Sequence, residues 1–473
     1  MSMVANEEVM EFLRAVGNYP FFVIRFFIVV AVLILIIFFT FYLRNKAYVR
    51  MIEDMDSISG LINWEKFRKE AANKIKKNKD EKYAIVQFDI DKFKVVNDLY
   101  GINGGNNLLK TVGSEIDNLI EKEELATRFY ADVFCMLITH NTDDEMTGFI
   151  QKVNENIKNS YPAVNLFLTF GIYKVSEEVS VELMVDRAAI ARNSVKGNGV
   201  RYYAFFDNRM LEEVIHEKRI ENTMQAALEA GEFEPFLQPQ YSVKTERIVS
   251  AEALVRWNDP IRKIIPPSEY IEIFEKNNFI VKVDVYIWKQ ICKMINHWIE
   301  KGWKPYPVSL NVSPVHFRNR TIIKEITDVV KEYNTPLEYL ELEITESVIL
   351  DDMEYAISTI EELHKLGFRI AMDDFGSGYS SLNLLNKLSI DVLKIDKEFL
   401  NDASNSDKGK VVIRDIIAMA KDLDMQVVCE GVEKHEEVEF LQATDCDKIQ
   451  GYYYAKPMSI IEFEKKYLLK SSE

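Results

Sequence analysis

Hydrophobic and polar positions follow three successive regimes along the chain. The first is one unbroken apolar run, FFVIRFFIVVAVLILIIFFTFYL, from Phe21 to Leu43, with Arg25 as its only charge. About 20 such residues cross a bilayer as a helix, and an arginine near one end can reach the interface along its own stem. The second regime alternates helical and strand patterns. Glu65 to Lys77 has an amphipathic helical period, Tyr83 to Ile90 is a buried strand, and Asn106 to Ile120 is helical again. Arg128 to Leu137 (RFYADVFCML) predicts a hairpin, and Phe167 to Val175 a further strand. This predicts an α/β sandwich over residues 56–208, followed by a helical joint over 209–231. The third regime, residues 232–473, is more regular. Its strand-like runs begin at Phe233, Ile248, Val308, Leu340, Phe368, Val392, Gln426 and Lys448, with helical patterns between most of them. Eight strands with intervening helices predict a (β/α)8 barrel. An open doubly wound sheet is the alternative, but no glycine-rich phosphate loop follows the first strand.

The hairpin poses a question of its own. A tight turn between two strands normally has a glycine to supply a positive φ, and Tyr130-Ala131-Asp132 has none. A bulky tyrosine stands where the backbone most needs freedom.

Charge orients the first regime. Glu7, Glu8 and Glu11 precede the apolar run, while Arg44, Lys46 and Arg50 follow it. The positive-inside rule then makes it a single-pass anchor in the cell membrane. Residues 1–20 form a short extracytoplasmic N-terminus with no folded sensor, 44–55 a linker, and the two domains are cytoplasmic. A signal peptide fits poorly, since the run is long, has no basic n-region and shows no small-residue cleavage site. The formal charge of −17 argues against nucleic acid as a partner. Four scattered cysteines without a C-x-x-C pair argue against zinc and against a disulfide framework.

Candidate chemistry gathers at the ends of the barrel runs: Glu252, Asn311, Glu343, Asp373 with Asp374, Lys394 and Glu430. The C-terminal ends of barrel strands converge on one face, where active sites lie. Singly, such residues read as solvated loop starts. As a set, packed carboxylates repel one another unless cations sit among them. Oxygen donors without histidine or cysteine favour Mg2+ or Mn2+, and two adjacent aspartates can serve two ions, the geometry of in-line displacement at a phosphodiester.

These residues lie in recognisable motifs. SAEALVRW from Ser250, Gln238-Pro239, NVS at Asn311, LEITES from Leu342 and DDFGSGYSSL from Asp373 resemble the EAL-domain cyclic-di-GMP phosphodiesterases. LKID at Lys394, CEGVE at Glu430 and QGYYYAKPM from Gln450 continue the match, which covers about residues 215–468. The resemblance implies a TIM-like barrel that hydrolyses cyclic di-GMP to pGpG, often as a homodimer. By the same resemblance, Glu252, Asn311, Glu343 and Asp373 hold a first metal, and Asp373 with Asp374 a second. Glu430 serves as ligand or base, and Lys394 orients the attacking water. Gln238, Arg256 and Gln450 contact substrate, and Glu346 braces the loop containing Gly376 and Gly378.

Upstream, DSISGLIN from Asp56 and FDIDKFKVVNDLYG from Phe88 resemble the GGDEF diguanylate cyclase family. Its defining hairpin falls on YADVF, Tyr130 to Phe134, where both glycines are lost and Val133 replaces a glutamate. Asn106, Asn193 and Gly197 depart from the guanine- and phosphate-contacting residues of that family, and Glu121 and Glu124 from its inhibitory R-x-x-D. Asp89, Asn97 and Asp132 remain, which leaves GTP as an expected ligand without turnover, with regulation of the barrel as one role. Three readings follow: a membrane-anchored phosphodiesterase, a cyclic-di-GMP receptor that does not hydrolyse it, and a bifunctional enzyme. The YADVF hairpin argues against the third.

Overall fold

The computed structural model describes residues 4–162, 164–176, 179–197, 200–348, 352–375, 387–397, 400 and 407–469. A single helix, Val4–Glu53, opens the chain. Within it Ile28–Lys46 is long and apolar enough to cross a membrane, and none of that stretch is buried by the rest of the protein. The expected linker region is helical as far as Glu53. The remainder divides into two units at Ile215/His216, within the helix Asn208–Ala230.

The first unit is built on a five-stranded sheet of β1 (Tyr83–Ile90), β2 (Leu125–Tyr130), β3 (Val133–Thr139), β4 (Leu168–Lys174) and β5 (Tyr203–Phe205), in the order β2-β3-β1-β4-β5. β1 lies between antiparallel β3 and β4 and is buried along its whole length, so apolar residues fall on both its faces, with Gln87 and Asp89 as buried polar exceptions. Ala84, Val86 and Phe88 pack on one face with Val112, Ile116 and Ile150. Tyr83 and Ile85 pack on the other with Phe67, Val185 and Ala188. The helices start where short polar side chains cap them: Asn63, Thr142 and Ser180 each accept a backbone N–H three residues on.

The second unit is a closed barrel. Its strands are β6 (Phe233–Ser242), β7 (Ile248–Asp259), β9 (Val308–Val312), β10 (Leu340–Thr345), β11 (Arg369–Phe375), β12 (Val392–Ile395), β13 (Gln426–Cys429) and β14 (Lys448–Ile449). Two short strands, β8 (Lys263–Ile265) and β15 (Met458–Ser459), pair outside the ring. The eight expected runs all become strands, and β6 closes the ring by pairing with both β14 and β7. One feature differs from a regular (β/α)8 barrel: β6 runs antiparallel to both neighbours, whereas β7 and β9–β14 are mutually parallel. The cause is local. Only a short turn, with Glu246 at φ 51°, joins β6 to β7, and a parallel neighbour would need a long crossover. Glu252 also falls inside β7 rather than at its end, because β7 continues to Asp259 along β6 and β8. Its parallel ladder with β9 covers only Ala251–Ala253, so Glu252 still sits at the barrel's edge.

Candidate active site

The strand ends bring the expected charges onto one lysine. Lys394, from β12, is 1% exposed, and its Nζ lies 2.8 Å from Glu343, 2.7 Å from Glu430, 3.0 Å from Asp373 and 3.5 Å from Glu252. Burial alone would lower the ammonium's pKa, but the four carboxylates outweigh it and hold the group well above its usual value. The same crowding acts on the acids. Burial, with Glu252 close by, raises Glu343 well above the carboxylate range. Burial raises Glu430 to about 8, with Asp373 and Glu252 adding to the shift and Lys394 opposing it. Among the described residues no three acidic or metal-ligating side chains surround an open centre, because the Lys394 ammonium lies between them. The donors nonetheless suit a hard divalent cation. Glu343 Oε1 is buried without a hydrogen-bond partner. The Asn311 amide donates to Glu252 (3.1 Å) and to the Ala253 carbonyl, which leaves its own carbonyl oxygen for another partner.

A strand defect falls at the two adjacent aspartates. Neighbouring residues of a regular strand point to opposite faces. Here the β11–β12 register shifts between Met372 and Phe375, and Asp374 has φ 54°. Bulges of this kind re-aim side chains beside active sites. Burial, together with Asp373 and Asp396, raises Asp374 to about 6. Glu346 follows β10 and is 8% exposed; the loop it is expected to brace, with Gly376 and Gly378, lies outside the described residues.

Gln238 and Gln450 are drawn into the site by a buried amide relay. Ser250 Oγ donates to Gln240, Gln240 to Gln450, and Gln450 to Glu252 at 2.5 Å and to Gln238 at 3.3 Å. Gln450 is 4% exposed, so its amide fixes the Glu252 carboxylate from behind. Gln240 carries no signal in the sequence, since a lone glutamine in an apolar strand says nothing about what it meets.

From the carboxylates a cavity of about 330 Å³ extends past Arg256 and Leu254 toward Glu275 and Asp284. One of its walls is organised by His316. That ring is fully buried, stacks on Trp288 with centroids 4.9 Å apart, and lies 2.6 Å from Glu325 and 3.0 Å from Asp284. Trp288 in turn donates its indole N–H to the backbone carbonyl of Asn311. Asp284, Trp288 and His316 were not legible as site residues, because helices and loops bring them to the strands only in three dimensions.

In the first unit, Asp89 lies near the end of β1, Asp132 stands in the turn between β2 and β3, and Asn97 lies in the helix Phe93–Leu119. The hairpin answers the question raised by its sequence, and corrects its premise. The positive φ falls on Ala131 (43°), not on Tyr130, which ends β2 opposite Val133 with its ring 55% exposed. Arg128 holds the turn by donating to the Ala131 carbonyl (2.8 Å) while pairing with Asp56 (2.9 Å). Burial, with Asp89 nearby, raises the Asp132 carboxyl above its usual value.

Comparison with known proteins identifies both domains. The sequence model of the EAL domain matches residues 221–457, and that of the diguanylate cyclase GGDEF domain matches 53–201. Cyclic di-GMP phosphodiesterase PdeR of Escherichia coli K12 is 29% identical over 430 residues, which is 90% of this chain and 65% of the relative. For the bifunctional diguanylate cyclase/cyclic di-GMP phosphodiesterase MucR of Pseudomonas aeruginosa the identity is 28% over 385 residues, 80% of this chain and 56% of the relative. The chain thus spans less than two thirds of the length of these curated relatives. Among solved structures, the PaMucR phosphodiesterase in complex with c-di-GMP matches with a TM-score of 0.50 at 27% identity, over 52% of this chain and 99% of that one. The cAMP-bound EAL enzyme Bd1971 has a TM-score of 0.52 at 21% identity over 81% of this chain and 94% of that one, a likeness of fold. Matched over half its length and carrying the motif carboxylates at one end of its barrel, the chain belongs to the EAL domain family, with a GGDEF domain preceding the barrel.

Proposed function

We propose that the barrel is a metal-dependent phosphodiesterase that opens cyclic di-GMP to pGpG. On this reading the helix spanning Phe21–Leu43 anchors the chain in a membrane with both domains in the cytoplasm, and the GGDEF domain makes no cyclic di-GMP. The observation that carries the proposal is the set of four carboxylates around Lys394, opening into a cavity lined by Arg256. A neutral small molecule gives no reason to collect so much buried charge, whereas a phosphodiester and its cations do.

Glu252, Asn311, Glu343 and Asp373 would hold one Mg2+ or Mn2+, and Asp373 with Asp374 a second. Bound there, the ions supply a nucleophile at neutral pH and offset charge on the phosphate oxygens. The chain's own residues do the rest. Arg256 clamps phosphate oxygens through its planar fork. Glu430, 2.7 Å from Lys394, takes a proton from the attacking water. Lys394 opposes the negative charge that builds as the water adds. Gln450 and Gln240 keep the Glu252 carboxylate aimed at the centre.

Supplying purified full chain with cyclic di-GMP and Mn2+ or Mg2+ tests this. Formation of pGpG, lost in Glu252→Gln, supports it. Cyclic di-GMP bound and recovered unchanged would make the barrel a receptor.

A further inference from the structure

Asp89 lies near the end of β1 with its side chain only 4% exposed, and a carboxylate at that depth needs a counter-charge. Two cations provide it. Lys196 Nζ donates to Asp89 Oδ2, and Arg192 Nε lies 3.9 Å from the same oxygen. Asp132 completes the group, close enough to Asp89 and Lys196 for both to act on its carboxyl. Position 133, where the GGDEF resemblance leads one to expect a third carboxylate, is a valine 3% exposed in β3 whose side chain offers no oxygen. The cluster is therefore two carboxylates against one ammonium and one guanidinium, with no excess negative charge. A divalent cation requires several oxygen donors and a surplus of negative charge. Between Asp89 and Asp132 it would face the Lys196 ammonium at contact distance. These residues do not fit a divalent ion.

We infer that Lys196 is the resident cation of this site, standing in the place of Mg2+ or Mn2+ and closing the GGDEF domain to divalent metals. Its position is set by close packing. Lys196 is the C-cap of the helix Val181–Val195, which lies so tightly on β4 that a Cβ on Gly171 would come within 1.9 Å of the Ala188 carbonyl oxygen. The helix can approach that closely only over glycine, and the approach delivers Arg192 and Lys196 to Asp89. Lys196 is itself 47% exposed, so replacing it opens no core cavity. The inference rests on the reading that this domain makes no cyclic di-GMP, and gives that reading a physical cause.

The test counts Mn2+ bound by the full chain in detergent micelles, following the signal of free Mn2+ by electron paramagnetic resonance. Glu252→Gln with Asp373→Asn first silences the barrel carboxylates. In that background the wild-type GGDEF site should show no Mn2+ binding that Asp89→Asn removes. Adding Lys196→Met, which keeps the aliphatic stem, should create one site per chain that Asp89→Asn abolishes, and Lys196→Ala should do the same. An Asp89-dependent Mn2+ site with Lys196 in place overturns the inference, and so does the absence of any gain in both Lys196 variants. A separate assay for cyclic di-GMP made from GTP by the unaltered chain reports on the inactive-cyclase reading independently of the metal count.

Discussion

Lys394 shows how much one side chain can decide. It is buried among four carboxylates, and each lone charge at that depth would be costly without it. Removing one partner from a buried ion pair costs about 3–5 kcal/mol, because the remaining charge stays buried and unpaired. Lys394→Met should therefore lower the melting temperature of the metal-free barrel, and Mn2+ should recover part of the loss by supplying the missing positive charge. In turnover the same variant should lose kcat more than it raises KM, since the ammonium matters most as negative charge builds. A melting temperature unchanged by the substitution would mean that the carboxylates are not held against this ammonium. At this scale the sequence was informative where polar residues interrupt apolar strands: Glu343, Asp373 and Lys394 stand out as charges in runs that otherwise bury. It was silent on Gln240, Trp288 and His316, whose partners include Ser250, Asn311 and Asp284, 10, 23 and 32 residues away in the chain.

Elements translate such residues into geometry. The pattern of apolar runs predicts all the barrel strands, since each must bury one face or both. It does not contain the direction of β6, which a short turn decides, nor the irregularity of β11 at Asp373 and Asp374. The hairpin is the clearest case of a local cost. Ala131 sits at φ 43°, where an L-residue loses about 1–2 kcal/mol; glycine avoids that loss, but its greater freedom when unfolded cancels part of the gain. Ala131→Gly should stabilise the GGDEF unit by roughly 0.5–1 kcal/mol, read as a rise in its calorimetric transition. The helix carrying Trp288 gives a second test. Burial would lower the His316 pKa, but Asp284 and Glu325 raise it above the ordinary 6.5. A group whose folded pKa is raised stabilises fully below its unfolded value and loses that contribution as pH climbs through the folded one. The barrel's melting temperature should thus fall as pH rises above 6.5, and His316→Gln should flatten that fall. An identical slope in the variant would remove His316 from the pH response.

The whole molecule pairs two sites with opposite electrostatics. In the barrel, carboxylates outnumber the single ammonium at their centre; in the GGDEF unit, two carboxylates are matched by Arg192 and Lys196. An excess of carboxylates invites cations and hence phosphodiester chemistry, while a neutralised cluster offers a triphosphate no metal partner. Domain order and the chemistry of the barrel were legible because motif residues and strand periodicity coincide there. The neutralised cluster was not, since Lys196 meets Asp89, 107 positions away in the chain, only once the unit has folded. On the reading proposed above, this chain consumes cyclic di-GMP and does not make it. The direct measurement supplies the full chain with GTP, cyclic di-GMP and Mn2+ together and follows both nucleotides by chromatography. The expected result is conversion of cyclic di-GMP to pGpG with the GTP pool untouched; accumulation of cyclic di-GMP at the expense of GTP, or its persistence unhydrolysed, would contradict it.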